Sequence, residues 1–480
     1  MNRTISAANG DTTYGGPELL VELDGGSGPL SQRLQAALRG AVRSGRLAPG
    51  AQLPSTRALA GDLGVSRRVV VEAYAQLTAE GWLRARQGAG TRVAARGGLP
   101  ADVPAPATPP EPVGRLPYDF FPGAPDLASF PRMLWLRALR DVLRSAPHDV
   151  LHYPDLAGAP ELRAALAAHL ARARGVATTP ERVLVTSGAR QGLALLGRAL
   201  ARRGVEQVAI EWPTLPLHAE ILEASGLQVV HVPVDAGGIA VDRLAATGAG
   251  AALVTPAHQA PRGVALTAER RAALVAWAQA GGRLILEDDY DAEFRYDRAP
   301  LGAVQALAPE HVAYLGSASK TLAPGLRLGW LALPAGLVEA LRREKQLDDG
   351  GCPALDQLAL ARLLDTAAYD RVVRAARRRN RARRDALVSA LAAALPGVRV
   401  EGLAAGLHAI ARLPEPVDAA GLLETARAAG VGVYPIPDRH GRTVALVLGY
   451  ACLSEPAIAE GVRRLAAVLA DLRAKRRSDG

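Results

Sequence analysis

The sequence predicts a two-part chain of the α/β class: a small basic helical module closed by a β-wing, a Pro-rich linker, and a large domain on a mainly parallel sheet. Three observations carry this. Short apolar runs at Val183–Val185, Val208–Ile210, Ala252–Val254, Leu284–Leu286 and Val312–Leu315 alternate with helical stretches, the pattern of parallel strands covered on both faces. Positive charge is concentrated at the front, where Pro29 to Arg96 holds 11 arginines against Asp62, Glu72 and Glu80, or +8 of the chain's +10. Between the two parts, seven prolines fall within the 18 positions from Pro100 to Pro117.

Composition narrows the class. Apolar residues make up 49% and charged residues 22%, as in soluble globular chains, and no run of apolar residues is long enough for a membrane span. The first 30 residues lack the continuous apolar core of a signal peptide, so a cytoplasmic location is expected. Cys352 and Cys452 have neither CxxC spacing nor histidine neighbours; no disulfide framework or metal site is expected, and both thiols read as core residues.

Residues 1–28 are polar and rich in Gly and Thr, which predicts a mobile arm. A winged helix-turn-helix is expected over 29–94. Leu30, Leu34, Ala37, Leu38, Ala41 and Val42 recur at helical spacing, and Gly45 to Gly50 breaks that helix. A second helix starts after Pro54-Ser55, carries Ala58, Leu59 and Leu63, and stops at Gly64. Ser66 is an N-cap for a third, in which Val69, Ala73 and Leu77 share one face and Arg67, Arg68, Val71 and Glu72 lie on or near the other. Trp82–Arg86 and Thr91–Val93 pair as strands about the turn Gln87–Gly90. The third helix is the expected DNA reader. Residues 95–117 form the linker, a semi-rigid spacer able to reach on the order of 50 to 60 Å when extended.

The large domain is expected over 118–475, with a short tail at 476–480. A helix is predicted from Pro160 to Arg172, and the strand Val183–Val185 then runs into Thr186-Ser187-Gly188-Ala189-Arg190-Gln191. A small-residue turn that opens a helix offers free amides and a positive dipole to a phosphate. The strand Leu284–Leu286 empties Glu287-Asp288-Asp289-Tyr290 at its C-terminal edge, where open α/β sheets bind ligands.

Ser317-Ala318-Ser319-Lys320 is the stretch the domain is organised around. Of 57 basic residues only Lys320, Lys345 and Lys475 are lysines, so an amine at 320 is a specific choice. An amine that loses its proton forms a Schiff base with a carbonyl, which a guanidinium does not. Pyridoxal 5'-phosphate needs a carboxylate on its pyridine nitrogen, a donor near its phenolic oxygen, a lysine for its aldehyde and a cradle for its phosphate. Asp288, Tyr290 and Lys320 supply the first three. The turn at Ser187, Gly188 and Ala189 is the expected cradle, closed from the far side by Ser317, Ser319 and Arg327.

Glu287–Phe294, Thr255-Pro-Ala-His-Gln259 and the string from Gly316 to Gly329 resemble a fold-type I aminotransferase of class I/II, from Asp119 to about Leu472. Leu53–Arg57, Val65–Arg68, Glu80–Leu83 and Gly88–Thr91 resemble the winged helix of the GntR superfamily. Their fusion resembles the MocR family of transcriptional regulators. That resemblance implies a PLP-dependent transferase fold with a small C-terminal subdomain from about Asp365. It implies a homodimer in which Tyr153 reaches the partner's phosphate. It also implies binding to double-stranded operator DNA, with Ser55, Arg57, Ser66 and the wing at Gly90 on the backbone, and Arg67, Arg68 and Val71 near bases.

Two departures from the family pattern fall on the substrate side. Leu215 stands where an aromatic ring commonly stacks on the cofactor, with Trp212 offset from it, and Ala260-Pro261-Arg262 replaces an aromatic followed by a small hydroxyl residue. They favour a sensor of an amine, an amino acid or the cofactor itself over a turnover enzyme. An active aminotransferase with an accessory DNA-binding domain and a regulator with a cofactor-free dimerisation domain remain the alternatives. Eight arginines between Tyr369 and Asp385, with Arg374, Arg377, Arg381 and Arg384 near one helical face, read as a solvated helix or as an auxiliary contact to DNA phosphates.

Overall fold

Caps and breakers set the front module. The computed structural model describes residues 28–86, 90–94, 116–291, 293–297, 301–438 and 440–478. The expected arm before residue 28, the tip of the wing turn, nearly all of the linker and the end of the tail lie outside them. The chain divides into two compact units, residues 1–110 and 111–480.

In the first unit, helix α1 (Leu30–Arg43) buries Leu34, Leu38 and Ala41. Helix α2 (Thr56–Leu63) is capped by Ser55, whose Oγ accepts Ala58 N at 3.2 Å, and ends at Gly64 with φ 62°. Helix α3 (Arg67–Ala79) buries Val70, Ala73, Tyr74 and Leu77. Its inner face is therefore turned from the expected Val69, Ala73 and Leu77. The cause is Tyr74, whose hydroxyl donates to Pro54 O at 3.0 Å and pins α3 to the start of α2. Likewise α2 buries Leu59 and Ala60, while Ala58 is exposed. Strands β1 (Gln52–Leu53), β2 (Leu83–Arg86) and β3 (Gly90–Val93) form an antiparallel sheet in the order β1-β3-β2. The two-residue strand β1 is too short to leave a periodic signal. Arg39 fastens α1 to the end of α3 through Glu80 at 2.7 Å, and Arg43 lies 5.3 Å over the Trp82 ring.

The second unit is built on an eight-stranded sheet in the spatial order Val183–Thr186, Gly329–Ala332, Val312–Ser317, Leu284–Asp288, Ala251–Val254, Gln207–Trp212, Gln228–Asp235, Gly238–Ile239. All five strands expected from the sequence lie in it. Pairings from Val312–Ser317 through Gln228–Asp235 are parallel, whereas Gly329–Ala332 is antiparallel to both neighbours. Helices including Pro160–Arg174, Ala189–Arg202 and Ala268–Ala280 supply apolar residues to clusters on the sheet's faces.

A smaller subdomain follows, with the four-stranded antiparallel sheet Arg399–Glu401, His408–Val417, Thr443–Gly449, Tyr434–Pro437 and helices Ala368–Ala394, Ala419–Ala428 and Glu455–Ser478. Tyr118–Asp119 pairs with Val431–Gly432, so the start of the unit is stitched to this subdomain. On the arginine-rich helix Ala368–Ala394, Arg374 and Arg381 are exposed, but Arg377 and Arg384 are half-buried. The outermost stripe is Arg371, Arg374, Arg378 and Arg381, because Arg379 and Arg383 turn inward to Asp126 at 3.7 and 3.0 Å. Among the described residues no helix is long and apolar enough to cross a membrane, and no acidic, His or Cys cluster has metal-binding geometry. Both cysteines are free; Cys352 is buried as expected, but Cys452 is exposed, its Sγ 3.3 Å from Ala124 O.

Candidate functional site

The C-terminal ends of the parallel strands bring the expected cofactor residues to one edge. Asp288 is the last residue of Leu284–Asp288 and pairs in register with Leu315, two residues before Ser317. The neighbouring strand Gly329–Ala332 places Gly329 opposite both Ser317 and Thr186. A Cβ at Gly329 would lie 2.7 Å from the carbonyl carbon of Gly188, so only glycine lets the two segments approach this closely.

Gly188 is the N-cap of the helix Ala189–Arg202, at φ 86°, and a Cβ there would meet Arg327 Nη1 at 3.1 Å. Arg327 adopts the left-handed conformation, φ 52°, and leans its guanidinium over the turn. The N-terminal dipole of this helix and the Arg327 cation beside it make a cradle suited to an anion, with the Gly188 N–H donating to Thr186 O at 2.8 Å. Ser317 and Ser319 sit half-buried where the strand Val312–Ser317 ends.

Lys320 Nζ donates to Gly123 O at 2.5 Å. Burial lowers its pKa, opposed by the carboxylates of Asp291 and Asp288, which moves the amine toward the neutral form that attacks carbonyls. Asp288 is buried and its carboxyl is pushed up to about 7, first by desolvation and then by Asp289 and Asp291. Among the described residues its Oδ1 has no hydrogen-bond partner. A buried carboxylate oxygen without a donor is costly, and it fits a cationic N–H such as that of a pyridinium ring. The lysine, the orphaned carboxylate and the cradle are the groups pyridoxal phosphate requires, and the residues present fit it.

Sequence reasoning missed three supporting groups. His218 Nε2 lies 3.8 Å from Asp288 Oδ2, and burial brings its pKa down to about 4. At that distance the neutral imidazole lines the Asp288 pocket without neutralising the carboxylate. His258 Nδ1 lies 3.0 Å from Asp291 Oδ2 and 3.2 Å from Tyr290 Oη, so the imidazole sits between the carboxylate and the phenol. Glu211 accepts Thr255 Oγ1 at 2.5 Å, and burial pushes its carboxyl up to about 7. The only signal for His258 was its place in the Thr255–Gln259 string; His218 lies 70 positions before Asp288, and folding alone joins them.

The departures are visible as well. Leu215 is 52% exposed, and Trp212 packs edge-on against His231 with centroids 4.7 Å apart, so Trp212 does not replace the missing ring. Gln259 binds Pro213 O and Ala260 O, and its Oε1 accepts Arg262 N at 3.0 Å, fixing the altered turn. Tyr153 does not join the other site residues: it is 89% exposed, with the His152 ring edge-on to its own.

In the first unit, Ser55, Arg57, Ser66, Arg67, Arg68 and Gly90 are all exposed. Ser66 Oγ makes no capping bond, and Arg67 and Arg68 open α3. Arg92 is held by Gly50 O and Gln52 Oε1 at 3.0 and 2.8 Å, which fixes the base of the wing. A helix N-terminus with two arginines beside a basic wing suits a phosphate backbone and base edges.

Residues 30–93 match the family of bacterial regulatory proteins, gntR family, and residues 125–442 match aminotransferase class I and II. The HTH-type pyridoxine biosynthesis transcriptional regulator PdxR of Corynebacterium glutamicum is 35% identical over 88% of this chain and 92% of its own length. The probable rhizopine catabolism regulatory protein MocR of Rhizobium meliloti is 31% identical over 91% and 93%. Among solved structures, Pyrococcus horikoshii kynurenine aminotransferase in complex with PMP superposes with a TM-score of 0.66 at 26% identity, covering 74% of this chain and 90% of that one.

Proposed function

The chain belongs to the MocR-type GntR family, DNA-binding transcriptional regulators with an aminotransferase-like domain for pyridoxal 5'-phosphate, and we propose that the cofactor itself is the signal this member reads. The observation that carries the reading is the contrast within one site. The groups for the cofactor, Lys320, the unpartnered Asp288 Oδ1 and the Gly188 cradle, are intact, while Leu215 and Ala260–Arg262 depart on the substrate side. That the relative from Corynebacterium glutamicum is named for pyridoxine biosynthesis supports the same choice.

Bound there, pyridoxal phosphate supplies an aldehyde that a primary amine attacks. Lys320 would supply that amine, Asp288 would hold the ring nitrogen, Tyr290 would donate to the phenolic oxygen, and Gly188, Ala189, Ser187, Ser317, Ser319 and Arg327 would receive the phosphate. The reading is of a cytoplasmic homodimer. Met133, Leu136 and Leu143 expose an apolar stripe on the helix Arg132–Ser145, with Leu151 and Tyr153 beyond it, and this surface supports self-association with Tyr153 entering the partner's cradle. On DNA, Arg67 and Arg68 read bases while Ser55, Arg57, Ser66 and Gly90 position the backbone.

The test is operator affinity with and without pyridoxal phosphate at fixed salt. A change of about tenfold corresponds to about 1.4 kcal/mol of coupling, well within the usual range; no change with cofactor, but a change with an amine or amino acid, would move the signal to that ligand. The intact set of Asp288, Tyr290 and Lys320 also favours a second reading, turnover as an aminotransferase. Repeated release of a keto acid would establish it.

A further inference from the structure

Resting on the cofactor reading, we propose that Lys345, through Gln191, makes the cradle selective for the phosphorylated vitamer over free pyridoxal. Lys345 is 0% exposed, in a chain that otherwise uses arginine almost wherever it needs a cation. Burying the Lys345 amine carries a desolvation cost, and its carboxylate partner Asp349 keeps part of its side chain exposed. The partners of Lys345 identify its task.

Lys345 Nζ donates to Asp349 Oδ1 and Oδ2 at 2.7 and 2.5 Å, to Cys352 Sγ at 3.1 Å and to Gln191 Oε1 at 3.3 Å. The same Gln191 Oε1 accepts the backbone N–H of Ser187 at 2.6 Å, while Gln191 Nε2 donates to Asp348 and Asp349 at 2.7 and 2.8 Å. Two donors on Oε1 and two acceptors on Nε2 leave the amide one orientation. Cys352 Sγ also lies 3.5 Å from Ser187 Oγ, so both the amide and the hydroxyl of the first cradle residue rest on groups that Lys345 holds.

Charge follows the same route. Asp348 is paired with Arg198 at 2.7 Å, whereas Asp349 depends on Lys345. Without the amine, Asp349 would present an unbalanced negative charge to a phosphate dianion across Gln191, and Gln191 would be free to turn its N–H₂ toward Ser187. Lys345 is a positioning residue: it acts on the phosphate through Ser187 and leaves Lys320 and Asp288 untouched. Its effect should vanish for a ligand without the phosphate.

The experiment measures dissociation constants of the full-length protein for pyridoxal phosphate and for pyridoxal by absorbance, in wild type, Lys345→Met and Gln191→Leu. Both variants should raise the ratio of the pyridoxal phosphate constant to the pyridoxal constant by about tenfold or more, the scale of one charge-assisted hydrogen bond. Affinity for pyridoxal should stay within about twofold, the scatter allowed for an interaction that touches only the phosphate. Gln191→Leu keeps the Lys345–Asp349 pair and decides the matter if Lys345→Met fails to fold. Equal losses for both ligands, or an unchanged ratio, would overturn the proposal. A wild-type protein that bound neither compound would instead refute the cofactor reading on which it rests.

Discussion

Replacing Asp288 by Asn separates what this carboxylate costs the fold from what it does for the cofactor. The side chain is buried, and its carboxyl is pushed up from 3.8 to about 7 by desolvation and then by Asp289 and Asp291, with Lys320 pulling the other way. At about 1.4 kcal/mol per pKa unit, three units set a ceiling of roughly 4 kcal/mol on holding it ionised in the cofactor-free protein. A pKa raised on folding contributes stability that is complete below about pH 4 and is lost as the pH rises through about 7. Asparagine carries no charge at any pH. The variant should therefore lie close to wild type near pH 4 and exceed it by about 2 to 4 kcal/mol at pH 8. Its affinity for pyridoxal phosphate should fall, because the bond to the ring nitrogen loses its charge, by about 1.5 to 3 kcal/mol or roughly 10- to 100-fold. Urea unfolding of the cofactor-free protein at pH 4.5 and 8, with cofactor titration of the same samples, measures both. A stability difference that does not grow with pH, or a variant less stable than wild type at pH 8, would refute the reasoning.

Further outcomes follow from the same geometry. Arg67→Ala and Arg68→Ala should each cost about 1 to 3 kcal/mol on operator DNA and less on scrambled DNA, whereas Arg57→Ala should weaken both alike; equal losses on both DNAs for all three, in a filter or anisotropy assay, would contradict the assigned roles. Leu136→Asp, in the exposed apolar stripe, should lower the solution mass from dimer to monomer by light scattering, and an unchanged mass would remove that stripe from the interface. Tyr153→Ala should leave the dimer intact but weaken pyridoxal phosphate about tenfold or more, the worth of a hydrogen bond to a charged group, with little effect on pyridoxal.

What the sequence made legible was local. Parallel strands buried on both faces read as continuous apolar runs, so five strands of the large sheet were visible, while Gly329–Ala332, reversed between two of them, follows the Lys320 string without a pattern of its own. Ser55 and Gly64 bound their helix because capping chemistry is a property of one or two residues, whereas Ser66 stands at the N-cap position of α3 without a side-chain capping bond. Tyr74 turned the inner face of α3 through a bond to Pro54, a contact across 20 positions that periodicity does not encode. In the site, Lys320, Asp288 and the Gly188 turn declared themselves by residue type. His218, Glu211 and Lys345 did not, since each acts through a partner that only the fold supplies: Asp288, Thr255 and Gln191. The cysteines divided along the same line, Cys352 packed under the cradle and Cys452 left at the surface by a turn that composition cannot place.

The central claim is that occupancy of the Lys320 site is reported to DNA. Operator affinity measured with and without pyridoxal phosphate, in wild type and Lys320→Ala at one salt concentration, tests it most directly. The account predicts that the variant still binds operator, since the basic winged helix carries its own +8, and that its response to the cofactor is lost. A cofactor response in Lys320→Ala as large as in wild type would contradict it.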